Sequence, residues 1–180
     1  MTKAGFEGKR VILLIRDPRD IVVSMYFFKA RRSKCIKYNL SSFLRFEKRG
    51  SIDSIISWYN AWANSRHLPA HLLLVRYEDM HENPQKELRR VLNFIRLHEI
   101  NKDIIHQVVE YTHFNNMHKL ETENAFDSRR LQPKDKKDPD SYMTRRGQVG
   151  GFVDYLSKTD IEYLNQKING ELSNFYSFYK

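Results

Sequence analysis

Apolar residues fall along this chain in two short unbroken runs and in several stripes at helical spacing. The first run, RVILLI from Arg10 to Ile15, has the pattern of a strand buried on both faces. Asp17 and Pro18 follow it, a capping residue and a first-turn proline. A helix is therefore predicted from about Arg19, turning Ile21, Val22, Met25 and Phe28 inward. Residues 39–66 read as two helices divided at Gly50. Ser51 and Asp53 open the second, and Ile52, Ile55, Ile56, Tyr59 and Trp62 stripe it. HLLLVRYED, residues 71–79, reads as a second short buried strand. Pro84 opens a helix whose predicted inner face is Leu88, Val91, Leu92 and Ile95. Residues 101–123 read as one further helical region, and a last helix begins near Lys158.

Residues 127–151 break the pattern: they are charged, hold two prolines and lack apolar periodicity. They read as a long loop, the kind that in a compact domain carries function or moves. Strand, turn and helix in succession, twice over, predict an α/β layer fold with parallel strands. A chain of 180 residues is long enough to bury a core as a single domain, 1–180.

Composition narrows the classes. With 41% hydrophobic and 29% charged residues the chain is globular in type, and no run nears the roughly 20 apolar residues that span a bilayer. MTKAGFEGKR has no apolar signal core. One cysteine, Cys35, excludes a disulfide framework and a cysteine metal cluster, so a reducing compartment, the cytoplasm, is expected. The net charge of +9 favours a polyanionic partner: nucleic acid, an anionic membrane or a phosphorylated small molecule.

Ligands of open parallel sheets bind beyond the carboxyl ends of the strands. Arg16 and RYED, 76–79, lie at such ends. The helix after Pro18 offers N–H groups and a positive dipole end, an anion site to which Arg16 adds a fork and Ser24, two turns on, a hydroxyl. The same residues equally suit an ion pair from Arg16 to Asp17 or Asp20, with Ser24 on the surface. TRRGQVGG, residues 144–151, sets two arginines before a glycine, which suits phosphate or a solvated basic loop. Of seven histidines, His113 is the most tempting base, although a lone histidine reads more readily as packing or surface. Trp58, Tyr59 and Trp62 line a pocket or fill the core, and their spacing favours the core. No metal-ligand spacing stands out, and no metal is expected.

Four segments, in order, resemble those of the cytosolic-type sulfotransferases that use 3′-phosphoadenosine 5′-phosphosulfate (PAPS). They are RDPRDIVVSMYFF, VRYEDM, YTHFNNM and MTRRGQVGGFVDYLS. The resemblance implies a P-loop-NTPase-like three-layer fold with a parallel sheet. It implies a grip on the 3′-phosphate by Arg16 and Ser24, closed by Arg145, Arg146 and Gly147. Tyr77, Thr112 and Phe114 would lie beside the adenine. The implied reaction moves a sulfuryl group from PAPS to a hydroxyl or amine acceptor, leaving 3′-phosphoadenosine 5′-phosphate (PAP). Gly151 and Phe152 stand where the family has aspartate and tryptophan. The family's N-terminal phosphosulfate loop has no counterpart in FEGKR, and its catalytic histidine has none among the nine residues before Arg10. On this reading the chain is N-terminally truncated, matches the C-terminal two-thirds of the family domain and supplies the PAPS-binding half, with its catalytic residues unidentified. The alternatives are an inactive nucleotide-binding remnant, a P-loop kinase-like phosphotransferase and a basic nucleic-acid-binding module. No Walker-type loop supports the kinase. KARRSK is a single short basic cluster, so no nucleic-acid partner is expected.

Overall fold

β1 (Arg10–Ile15) and β2 (His71–Arg76) pair in parallel, Arg10 opposite His71 and Ile15 opposite Arg76. Both strands therefore end at the same level, and the turns that follow them are neighbours. The computed structural model describes residues 4–126, 128 and 131–180.

The crossover from β1 to β2 is helical: α1 (Pro18–Phe27) with a π-helical turn at Phe28–Arg32, α2 (Leu40–Phe46) and α3 (Ile52–Ser65). After β2 come α4 (Tyr77–Glu82), α5 (Pro84–Phe94), α6 (Lys102–Tyr111), α7 (Phe114–Thr122) and α8 (Lys158–Glu171). The architecture is α/β with a parallel sheet, as the pattern predicted. Asp17 caps α1, its carboxylate accepting from Arg19 N at 2.8 Å, and Pro18 takes the first turn, where no N–H is needed. Ser51 caps α3, whose stripe of Ile52, Ile55, Ile56, Tyr59 and Trp62 is buried throughout. These residues meet Val11, Leu13 and Ile15 of β1, Val22 and Val23 of α1, Phe43 and Leu44 of α2 and Leu164 and Ile168 of α8 in one core.

Several expectations are corrected. β1 is covered on one face only: Val11, Leu13 and Ile15 are buried, whereas Ile12 and Leu14 are 41% and 54% exposed. α5 packs on β2 and reaches β1 at Arg10, whose Nε donates to the Phe94 carbonyl at 2.9 Å. The second strand ends at Arg76, not Asp79, because the chain enters α4 at Tyr77 and its Glu78 accepts from Asp17 N at 2.8 Å. The inner face of α5 is only half-buried, and Ile95, past the helix end, is exposed. The buried residue of that helix is Glu87. In α1, Val22 and Val23 point inward and Phe28 is exposed. Residues 101–123 are helical as expected, divided into α6 and α7 where His113 leaves the helical conformation and caps the second with its own ring. The long loop lies partly outside the described residues. Its described part carries short 3₁₀ turns at Pro139–Ser141 and Gly151–Asp154.

Candidate functional site

The strand register sets Arg16 beside Tyr77, each the first residue past its strand. The Arg16 guanidinium lies over the Tyr77 ring, 4.1 Å from its centroid. Its Nη2 donates to Asp20 Oδ2 at 3.1 Å and to the Gln148 carbonyl at 2.5 Å. Its Nε is buried and has no hydrogen-bond partner among the described residues. The Arg16 backbone is clamped from α3: the Tyr59 hydroxyl accepts from Arg16 N at 2.9 Å and donates to Arg16 O at 2.5 Å. Burial pushes the Tyr59 phenol well above its ordinary range, so it stays a neutral donor. Glu78 holds the next residue and is itself held by the Tyr179 hydroxyl at 2.8 Å.

Asp20, 4% exposed, is the ion-pair partner of Arg16. It also accepts from Gly150 N at 2.8 Å and Phe152 N at 3.0 Å, which fastens the loop after Arg146 onto α1. Between them lies a cavity of about 210 Å³. Arg16, Ser24, Tyr77, Phe114, Arg145, Arg146 and Gly147 all line it. Ser24 is exposed on its wall. Asp20, in the first turn of α1, lines it as well, whereas Asp17, Pro18 and Arg19 do not, and the Arg19 N–H is taken by the Asp17 cap.

Arg145 packs over the Phe27 ring at 4.1 Å and donates to the Tyr155 hydroxyl at 2.5 Å. Arg146 donates to the same hydroxyl at 3.1 Å and pairs with Asp154 at 2.8 Å. Gly147 has φ +58°, and a Cβ there would sit 2.2 Å from Phe114 Cδ2. The close approach that glycine permits is thus to an aromatic ring. Gly151 lines the cavity, and the Phe152 ring lies under Arg19, 4.9 Å from its guanidinium.

Thr112 lies outside this cavity, in an adjoining groove of about 570 Å³ that shares Tyr77, Phe114, Thr144 and Gly147 with it. Its hydroxyl donates to the Val108 carbonyl at 2.8 Å. His113 also lines the groove, but its Nδ1 accepts from Asn115 N at 3.4 Å as the cap of α7. His81 packs on Tyr77, ring centroids 4.5 Å apart, and burial, with Arg16 nearby, lowers its imidazole from the usual range. Trp62 is buried in the core and Trp58 is exposed. Among the described residues no cluster of His, Cys, Asp or Glu suits a metal ion, and no helix is long and apolar enough to cross a membrane.

The sequence pattern named Tyr59 as a pocket or core residue and Glu78 only as part of RYED, without their holds on Arg16 and Asp17, and it did not single out Tyr155. Asp20 was visible as an (i, i+4) partner of Arg16 but not as the anchor of Gly150 and Phe152. The hold of Tyr59 on Arg16 was masked by the apolar stripe in which it sits.

The model of the sulfotransferase domain family matches residues 6–176. The chain is similar to cytosolic sulfotransferase 15 of Arabidopsis thaliana, 25% identical over 174 residues, 92% of this chain and 47% of that protein. It is similar to sulfotransferase 2A6 of Rattus norvegicus, 26% identical over 179 residues, 97% of this chain and 61% of that protein. Among solved structures it resembles a mouse sulfotransferase complexed with PAP, with TM-score 0.70 and 17% identity over 92% of this chain and 59% of that one. A retinol dehydratase in complex with retinol and PAP gives TM-score 0.71 and 20% identity over 92% of this chain and 48% of that one. These structures share the P-loop-like α/β fold. The chain spans 47% and 61% of the two curated relatives' lengths.

Proposed function

The chain belongs to the sulfotransferase domain family, and from that premise we propose that it forms the PAPS-binding part of a sulfotransferase acting on a hydroxyl or amine acceptor. One observation carries this reading: Arg16, whose buried Nε has no partner among the described residues, faces Arg145, Arg146 and Gly147 across a single cavity. An unsatisfied buried N–H costs about 1–3 kcal/mol, which an anionic oxygen would recover. The donors fit a phosphate: three guanidinium groups and the Ser24 hydroxyl line the cavity, and the Asp20 carboxylate on its wall is taken up by Arg16, Gly150 and Phe152.

In this reading Arg16, Ser24, Arg145, Arg146 and Gly147 hold the 3′-phosphate. Tyr77, Phe114 and Thr112 hold the adenine, with Phe114 as a flat wall between cavity and groove. PAPS, when bound, supplies the activated sulfuryl group. The residues named here bind and orient; their energy is spent far from the reacting sulfur, where it aligns the donor. Tyr59 and Asp20 keep Arg16 and the loop in place. The cytoplasm is the proposed compartment, in keeping with the cytosolic relative from Arabidopsis and the absence of a membrane-crossing helix among the described residues.

Calorimetric titration with PAP, beside AMP and beside Arg16→Ala, tests the reading. Binding that requires both the 3′-phosphate and Arg16 is expected. A folded chain that binds PAP no more tightly than AMP overturns it.

A further inference from the structure

Outside the cavity, a buried ion pair joins three of its walls. Arg32, in the π-helical turn that ends α1, and Glu121, in the last turn of α7, have side chains only 5% and 3% exposed. Arg32 Nη1 lies 3.4 Å from Glu121 Oε1 and donates to the Ser141 carbonyl at 2.9 Å, while Nη2 donates to the Gln132 carbonyl at 2.9 Å. The Glu121 carboxylate accepts from Met143 N at 2.8 Å, Thr144 N at 2.8 Å and Thr144 Oγ1 at 2.6 Å. Arg145, Arg146 and Gly147 come next in the chain. α1 carries Ser24, α7 begins with Phe114, and the loop carries the two arginines, so one pair sets all three relative to each other. Neither partner lines the cavity.

We propose that Glu121, with Arg32, is a positioning device for the 3′-phosphate contacts, an inference that rests on the nucleotide reading above. Glu121 holds the Met143–Thr144 backbone at the height where Arg145 and Arg146 meet Arg16 across the cavity. Desolvating two charges makes a buried pair a poor source of net stability, and an apolar pair of equal volume often serves folding as well. What the pair supplies is register: two adjacent N–H groups received by two oxygens of one carboxylate. The π-helical turn fits this role, since such turns re-aim a side chain that a regular helix would direct elsewhere.

Glu121→Gln keeps the volume but replaces one accepting oxygen with a donating amide. PAP affinity should fall about tenfold or more, the worth of one charged hydrogen bond. AMP affinity should change by less than about twofold, because the 3′-phosphate contacts are absent there. In an Arg145→Ala/Arg146→Ala background the same substitution should add almost nothing, since it acts through those side chains. Equal losses for PAP and AMP, or a loss that persists without the two arginines, overturns the proposal in favour of a purely structural pair. If Glu121→Gln does not fold, Arg32→Lys, which keeps the charge and loses the fork, is read by the same two ratios. An unmodified, folded chain that fails to prefer PAP over AMP removes the nucleotide reading and this tether together. A preference for PAP that Glu121→Gln leaves intact removes the tether alone.

Discussion

Gly147→Ala strikes the site where backbone and ring meet. At φ +58° an alanine sits in the left-handed region, which costs about 1–2 kcal/mol for a residue with a Cβ. The new Cβ would stand 2.2 Å from Phe114 Cδ2, 2.7 Å from Cε2 and 2.9 Å from Cγ. Carbon atoms rest at about 3.5 Å or more, so ring and loop must part by roughly 1.3 Å. The ring cannot simply retreat. His118 stacks behind it at 6.1 Å and 12°, and the His118 Nδ1 is 3.0 Å from both Thr144 O and Thr144 Oγ1 on the same loop. Overpacking of this kind costs about 1–3 kcal/mol, giving a total near 2–5 kcal/mol.

That cost appears in two assays. The thermal midpoint should fall, and PAP affinity should fall with it as Arg145 and Arg146 lift away from α1. A double-mutant cycle with Phe114→Ala isolates the clash: without the ring, Gly147→Ala should cost only its backbone term, leaving a coupling of about 1–3 kcal/mol. A Gly147→Ala protein of unchanged midpoint and affinity, or a cycle with additive costs, would refute the close approach of loop and ring.

Three further outcomes follow from other residues. Tyr59→Phe leaves the Arg16 N–H and C=O without their clamp and should cost about 1–3 kcal/mol by urea denaturation, with weaker PAP binding; an unchanged stability would deny the clamp. The His81 imidazole should titrate below 6.5 by NMR, because burial and then the Arg16 charge disfavour its protonation. Since the folded form resists the proton, the His81 contribution to stability is complete above pH 6.5 and is lost as pH falls. Arg16→Ala should move that titration upward, and a His81 that ignores Arg16 contradicts their proximity. Burial works to raise the Asp160 carboxyl, but donors from Arg45, Ser157 and Ser41 outweigh it and hold it below 3.8. Asp160→Asn should therefore lower the midpoint at pH 7, with the gap to the unmodified chain closing as pH drops below 3.8; a constant gap would sink the assignment.

The elements were legible where the pattern is local. RVILLI, the Asp17–Pro18 start, the Ser51 cap and the α3 stripe each carry their signal within a few residues. Failures came where tertiary surroundings decide. The β1 run has the composition of a strand covered twice, but cover depends on where α5 packs, and α5 sits on β2. The split at Thr112–His113 turns on a histidine used as a helix cap, a role that the residue type scarcely announces. RYED was read as strand because Tyr77 extends the apolar run, while the Glu78 carboxylate was needed by the α1 turn.

The same division runs through the site. Seven of the eight residues singled out from the sequence, Arg16, Ser24, Tyr77, Phe114, Arg145, Arg146 and Gly147, line one cavity, and Thr112 stands in the groove beside it. They come from short segments in which the groups that would face a ligand are close in sequence. The residues that aim them are distant partners: Asp20 to Phe152 across 132 positions, Arg32 to Ser141 across 109, Tyr59 to Arg16 across 43. No spacing rule connects such pairs, because only the parallel register and the helical crossover bring them together. A loop with two arginines and few apolar residues would otherwise be a solvated basic strand of chain. Here buried carboxylates at both ends, Glu121 before Arg145 and Asp20 after Arg146, receive its backbone N–H groups and give the two cations a fixed place.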